Sequence, residues 1–168
     1  MTVQTHDPDT ILTRYADGPA QLEAAIAGLT EAELDLARTA DDWTIRQIVH
    51  HIADGDALWQ VGIKAALGNS QGMFSFHWYW DVPQDTWAER WNYAGRAIEP
   101  SLALFRANRR HVVQLIEQIP DAWERHIAVQ WPNGQEEQVT AGWVIGMQAD
   151  HVVAHIEDIR LIRQTHNL

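Results

Sequence analysis

The stretch "WTIRQIVHHIADGD" at residues 43–56 decides the fold. Thr44 stands three residues before Gln47, the spacing of a capping box that starts a helix. Apolar residues then recur at positions 45, 48, 49, 52, 59, 63 and 66, one face of a helix that runs to about Leu67. Two histidines, His50 and His51, sit side by side within it, and neighbours on a helix point about 100° apart. With Ile52 at 0°, Ile45, Ile48, Trp59, Ile63 and Ala66 fall within about 40°, His50 near 160° and His51 near −100°. His50 is therefore expected to face solvent. His51 is expected on the flank of the stripe, beside Gly55 and Gly62, where a bundle helix meets its neighbour. From this helix alone, His51 reads as a half-buried histidine with one hydrogen bond.

Working outward, three further long helices are predicted. The first lies in residues 8–29, with Asp7 as cap and Pro8 in the first turn; Gly18-Pro19 either kinks it or splits it. "TEAELDLARTADD" is a turn-rich connector to the second helix. "GNSQG" at 68–72 ends that helix, an aromatic connector follows at 73–83, and a short helix is expected over 84–94. The third long helix covers about 98–118 and stops before Pro120. "RHIAVQWPNGQEEQV" reads as two short strands around Pro132-Asn133-Gly134, and Thr140 caps a fourth helix over about 141–164. The expected architecture is all-α: a four-helix bundle with a small β-hairpin before the last helix, one domain over residues 1–168.

Composition narrows the function. The 168 residues carry a net charge of −11, which argues against nucleic acid or an anionic membrane as partner. No stretch approaches a membrane span, and no signal peptide is visible, so a cytoplasmic protein is expected. There is no cysteine, so a bound metal must be held by histidine or carboxylate. Nine tryptophans carry most of the aromatic content, and such rings suit core corners and pocket walls.

The second histidine pair lies in "DHVVAHIED", residues 150–158. His151 and His155 are i,i+4, one turn apart on one helix face, a spacing that lets two imidazoles reach one ion. Chance alone gives about 0.5 such pairs for nine histidines in this length, so spacing by itself is weak. Val144, Met147 and Ile162 share their face, and two buried imidazoles cost desolvation unless paired. If the second and fourth long helices touch, His51 adds a third nitrogen. Three neutral imidazoles with open positions make a catalytic type of site, and Zn²⁺ and Ni²⁺ both suit it. The alternative is three histidines that only pack.

"GPAQLEAAIAGLTEAELD" at 18–35, "WTIRQIVHHIADGD" at 43–56 and "HVVAHI" at 151–156 together resemble the DinB/YfiT-like metal-binding four-helix bundles, in order and separation. The resemblance implies a metal triad of His51, His151 and His155, water-filled positions on a divalent ion, and often a homodimer. Some members of that family look like metal-dependent transferases that use low-molecular-weight thiols such as bacillithiol or mycothiol. Others carry the label of metal-dependent hydrolase. The chain departs from the family pattern in two places. Gly55-Asp56 follows Ala53-Asp54 where Ser-His is usual, and Val152 stands where a second histidine is often found. Neither change touches a triad ligand.

Asp158 lies near −20° on the His151 wheel, on the histidine face, and is the candidate catalytic or orienting carboxylate. Asp54 falls close to solvent. Phe74, Phe76, His77, Trp78, Tyr79 and Trp80, with Trp91 and Trp143, either wall a pocket over the metal or make a dimer contact; His77 is a remote candidate as an extra ligand. The preferred reading is a thiol transfer to a small electrophile. The alternatives are hydrolysis by water on the metal and a non-catalytic bundle that binds a small ligand.

Overall fold

The computed structural model describes residues 7–168. The Thr44 capping box forms as read. Gln47 N donates to Thr44 Oγ1 at 3.2 Å, and Thr44 N donates to Gln47 Oε1 at 2.8 Å, starting α3 (Ile45–Gly68). Asp7 caps α1 (Pro8–Ile26), and the Thr140 hydroxyl takes the Trp143 N–H at 3.0 Å to start α7 (Ala141–His166). The fourth long helix, α6, spans Glu99–Gln118 with Pro100 in its first turn. Each long helix begins and ends close to its sequence expectation.

The four pack in a ring. α1 lies against α7 and α6, and α3 lies against α6 and α7. Their apolar stripes bury Leu22, Ile45, Ile48, Ile52, Phe105, Val152, Ile156 and Ile159 at one end of the bundle, and Tyr15, Ile63, Val112, Val144 and Ile145 at the other. Three shorter helices lie outside the ring: α2 (Glu31–Leu34), α4 (His77–Trp80) and α5 (Gln84–Arg90). α2 has its own capping box, Thr30 with Glu33, within the stretch read as a connector. A 3₁₀ turn at Tyr93–Gly95 follows α5, where the sequence suggested one short helix over 84–94.

Gly18-Pro19 does not break α1. Pro19 has no N–H for the Tyr15 carbonyl four residues back, which ordinarily disrupts a helix. Arg109, from α6, supplies the missing donor: its Nη1 lies 2.7 Å from that carbonyl oxygen. Gly18 clears the space, since a Cβ there would stand 2.4 Å from the same nitrogen. The guanidinium also donates to Asp56 Oδ1 on α3 at 3.0 Å and to the Gln148 carbonyl on α7 at 2.8 Å, and it lies over the Tyr15 ring at 4.1 Å. One buried arginine thus ties α6 to the other three long helices.

The hairpin is present as β2 (His126–Gln130) and β3 (Glu136–Thr140), antiparallel, with Gly134 at φ +79° in the turn. It gains a third strand that the sequence reading left inside the aromatic connector. β1 (Met73–Ser75) pairs parallel to β2, giving the order β1-β2-β3. Three residues are too few to show a two-residue alternation.

The expectation that His50 faces solvent is corrected: its side chain is 0% exposed. The wheel recorded only the stripe of α3 itself, whereas the 3₁₀ turn and the start of α6 cover the opposite side. His50 Nε2–H donates to the Arg96 carbonyl at 3.2 Å, which leaves Nδ1 to accept from the Ser101 hydroxyl at 2.8 Å. Burial holds its pKa below the usual histidine value. Asp54 is likewise half-buried, 3.6 Å from Arg96, and not close to solvent as the wheel suggested.

Candidate functional site

Where α3 crosses α7, the three predicted histidines meet. His51 Nε2 lies 3.1 Å from His151 Nε2, and His155 Nε2 lies 3.2 Å from it. Each residue turns one ring nitrogen to the same point, all within 4.8 Å of one another, and among the described residues no other group of histidines and carboxylates converges so. The i,i+4 spacing stacks His151 and His155 along α7, and the flank position of His51 brings it across from α3. Trp43, just before α3, stands edge-on to the His51 ring with centroids 4.8 Å apart.

Two of the rings are held neutral. Burial, then the neighbouring His151 and His155, pulls the His51 pKa down to about 3. Burial, then His155 and Arg109, pulls His151 down to about 4. Lone pairs on both therefore persist far below neutral pH. The third ring is set from behind: His155 Nδ1 lies 3.1 Å from Asp158 Oδ2, and donating its hydrogen there leaves Nε2 as an acceptor facing the centre. The Nδ1 of His151 is buried without a partner among the described residues.

Two cavities flank the triad. The smaller, about 100 Å³, is walled by Trp59, Phe76, Tyr79 and Trp80, with His51, His151 and Gln148 at its base. The larger, about 190 Å³, lies on the His155 side between Arg38, Asp42, Trp43 and Asp158. The aromatic connector therefore divides. Phe76, Tyr79 and Trp80 face the triad cavity. Phe74 packs into the core over Gly62, whose Cβ would lie 2.8 Å from its ring. Trp91 stacks behind Tyr79, with centroids 6.1 Å apart. Trp78 and Trp143 stay 52% and 46% exposed, away from the cavity lining. His77 is not in the cluster; its Nε2 lies 2.9 Å from Gln130 Oε1.

Sequence reasoning missed Trp43, Gln148 and the Asp56–Arg109 pair. Gln148 had a usable signal, because it precedes His151 by three residues and shares its helix stripe. Arg109 had none, since its partners come from three other helices.

Comparisons with known proteins bear on the family and the fold. A protein of Oceanobacillus iheyensis, provisionally named a metal-dependent hydrolase, is 26% identical over 149 residues, 88% of this chain and 81% of its own. A protein of Geobacillus thermodenitrificans with the same provisional name is 26% identical over 153 residues, 87% of this chain and 78% of its own. The solved structure of YfiT from Bacillus subtilis, described as "a probable metal-dependent hydrolase with an unusual four-helix bundle topology", superposes with a TM-score of 0.82 at 22% identity, over 99% of this chain and 91% of that one. The sequence model of the DinB superfamily matches residues 14–159, a span that takes in all three histidines and all four long helices but for the ends of the first and last. With the family model matched over that span and the fold in agreement, the chain belongs to the DinB superfamily.

Proposed function

We propose that His51, His151 and His155 hold one divalent metal ion, zinc or nickel, and that the protein is a metal-dependent hydrolase of a small molecule. The observation that carries this reading is the meeting of three ring nitrogens, two contacts at 3.1 and 3.2 Å through a single shared atom, His151 Nε2. One imidazole hydrogen serves two such contacts poorly, whereas a cation among the lone pairs satisfies all three rings. The two spacings at His151 are close to those of a tetrahedral site, in which nitrogens about 2.0–2.1 Å from the ion stand about 3.3–3.4 Å apart. A divalent ion held by His51, His151 and His155 would supply Lewis-acid charge and lower the pKa of a water or thiol bound to it.

The rest falls to the chain. Burial keeps His51 and His151 unprotonated and ready as donors at neutral pH. Asp158 accepts the Nδ1 hydrogen of His155 and so orients the ring; it is a positioning residue, 3.1 Å away. The aromatic walls exclude water from the His51 and His151 side and present an apolar surface to the substrate. The provisional names of the Oceanobacillus and Geobacillus relatives favour hydrolysis as the reaction.

A second reading, transfer of a low-molecular-weight thiol to an electrophile, is favoured by the two separate cavities of about 100 and 190 Å³ on either side of the triad. Two reactants need two places, and a chain without cysteine must take its thiol from solution.

Metal analysis of purified protein tests the site. Wild type is expected to hold one divalent ion per chain and His51→Ala almost none; equal content in both defeats the reading. Asp158→Ala is expected to keep the fold and weaken metal affinity by about 10–100-fold, measured by competition with a chromogenic chelator. An unchanged affinity removes Asp158 from its role. Ester or amide turnover without added thiol supports hydrolysis, and turnover only with thiol supports transfer.

A further inference from the structure

The amide of Gln148 is unmatched where it lies. The residue is 2% exposed; among the described residues its Oε1 is buried with no hydrogen-bond partner, and its Nε2 meets only the Met147 sulfur at 3.4 Å. Sulfur is a weak acceptor, and its position beside the NH₂ leaves the carbonyl end of the amide as the free one. A buried carbonyl without a donor keeps the cost of its lost hydration, and methionine would fill the same volume without that cost. The backbone here is held firmly, because Arg109 Nη2 donates to the Gln148 carbonyl at 2.8 Å. Gln148 lies one turn before His151 and lines the aromatic cavity with it.

That cavity has a definite character. Among the described residues, no Asp, Glu, Lys or Arg side chain lines it. Its other amide, Gln84, is already engaged, with Oε1 accepting from the Tyr79 hydroxyl at 2.9 Å. The rings of Trp59, Phe76 and Trp80 pack on one another with centroids 5.1 to 6.4 Å apart, so they form a wall and leave no gap for a caged cation. At about 100 Å³ the space is smaller than the roughly 150 Å³ cavity that holds benzene.

We propose that Gln148 is the substrate-recognising residue of this cavity: its Oε1 accepts a hydrogen bond from an N–H or O–H of a compact, uncharged group of about four or five heavy atoms, seated between the aromatic wall and His151. The substrate class is thus a short neutral amide or alcohol portion, with any larger or charged part left outside the cavity. This rests on the metal-dependent reading of the same site, but its contacts are the chain's own.

The test uses three probes of matched size. Propionamide carries an N–H donor, 1-propanol an O–H donor, and butanone neither. Each is titrated into the whole protein, with and without zinc, while the indole N–H signals of Trp59 and Trp80 are followed by NMR. Wild type is expected to bind at least one donor probe about tenfold more tightly than butanone. Preference for propionamide assigns the amide class, and preference for 1-propanol the hydroxyl class. Gln148→Met is expected to bind all three alike, with an unchanged or higher Tm. Equal binding of the three by wild type overturns the proposal, as does a preference that survives in Gln148→Met, or a large fall in Tm on that substitution. Because the metal-free arm reads Gln148 directly, loss of the metal reading in the His51→Ala experiment leaves this result separately interpretable.

Discussion

Replacing Arg109 with alanine is expected to cost about 3–5 kcal/mol of folding stability. The side chain is 0% exposed and spends three donors on three helices: Asp56 Oδ1 on α3, the Tyr15 carbonyl on α1 and the Gln148 carbonyl on α7. Truncation leaves each acceptor buried. The Asp56 carboxylate suffers most, since its second oxygen already has no partner among the described residues. Burial outweighs the pull of Arg109 and pushes the Asp56 pKa up to about 6, so the comparison belongs at pH 8, where the carboxylate is charged. The Tyr15 carbonyl has no substitute donor, because its helical one is absent at Pro19. Urea unfolding of both proteins, at equal m-value, measures the loss. The double variant Arg109→Met, Asp56→Leu should recover more than half of it, as removal of both buried charges often does. A cost below about 1 kcal/mol for the single change would mean that water reaches the pair.

The second large effect is loss of stability in acid by the metal-free protein. His51 and His151 have folded pKa values of about 3 and about 4, against about 6.5 in the unfolded chain. Between those limits the unfolded chain binds nearly two protons more than the folded one. Stability therefore rises with pH across the window, is complete above about 6.5, and is lost as pH falls toward 4. The two groups together represent on the order of 5 kcal/mol, discounted because each depresses the other. His50, whose pKa is also lowered by burial, acts in the same direction. Asp56 acts in the opposite one between pH 6 and 4, since its folded pKa is raised. Urea midpoints at pH 7.5 and 4.5 should show the net fall, and His51→Gln should flatten it. A midpoint unchanged between the two pH values would mean that the triad is solvated.

The bundle was legible because its signals are local. Thr44-x-x-Gln47, Asp7-Pro8 and Thr140 fix three helix starts through hydrogen bonds made within one turn, and each forms as read. The triad was legible for a related reason. Helical geometry alone sets His151 beside His155 and turns His51 to the flank of α3, so only the contact between two helices had to be supplied. His50 failed because its environment comes from Arg96 and Ser101, about fifty residues further on, and a single helix wheel contains neither. Gly18-Pro19 was read as an interruption because the donor that repairs it, Arg109, lies some ninety residues away. β1 is too short for a pattern, and its pairing with β2 is parallel and remote in sequence.

The Arg109 tie also bears on how the chain reaches this structure. A guanidinium leaves water at little cost only when its acceptors are already in place, and here they are divided among α1, α3 and α7. A partly assembled bundle, with any one of those helices detached, buries the charge against an incomplete set or keeps it hydrated and the centre open. Either way the halfway state is penalised, and the four helices gain their stability together. The arrangement favours all-or-none folding, in which the histidines on α3 and α7 come together in the same transition that closes the core.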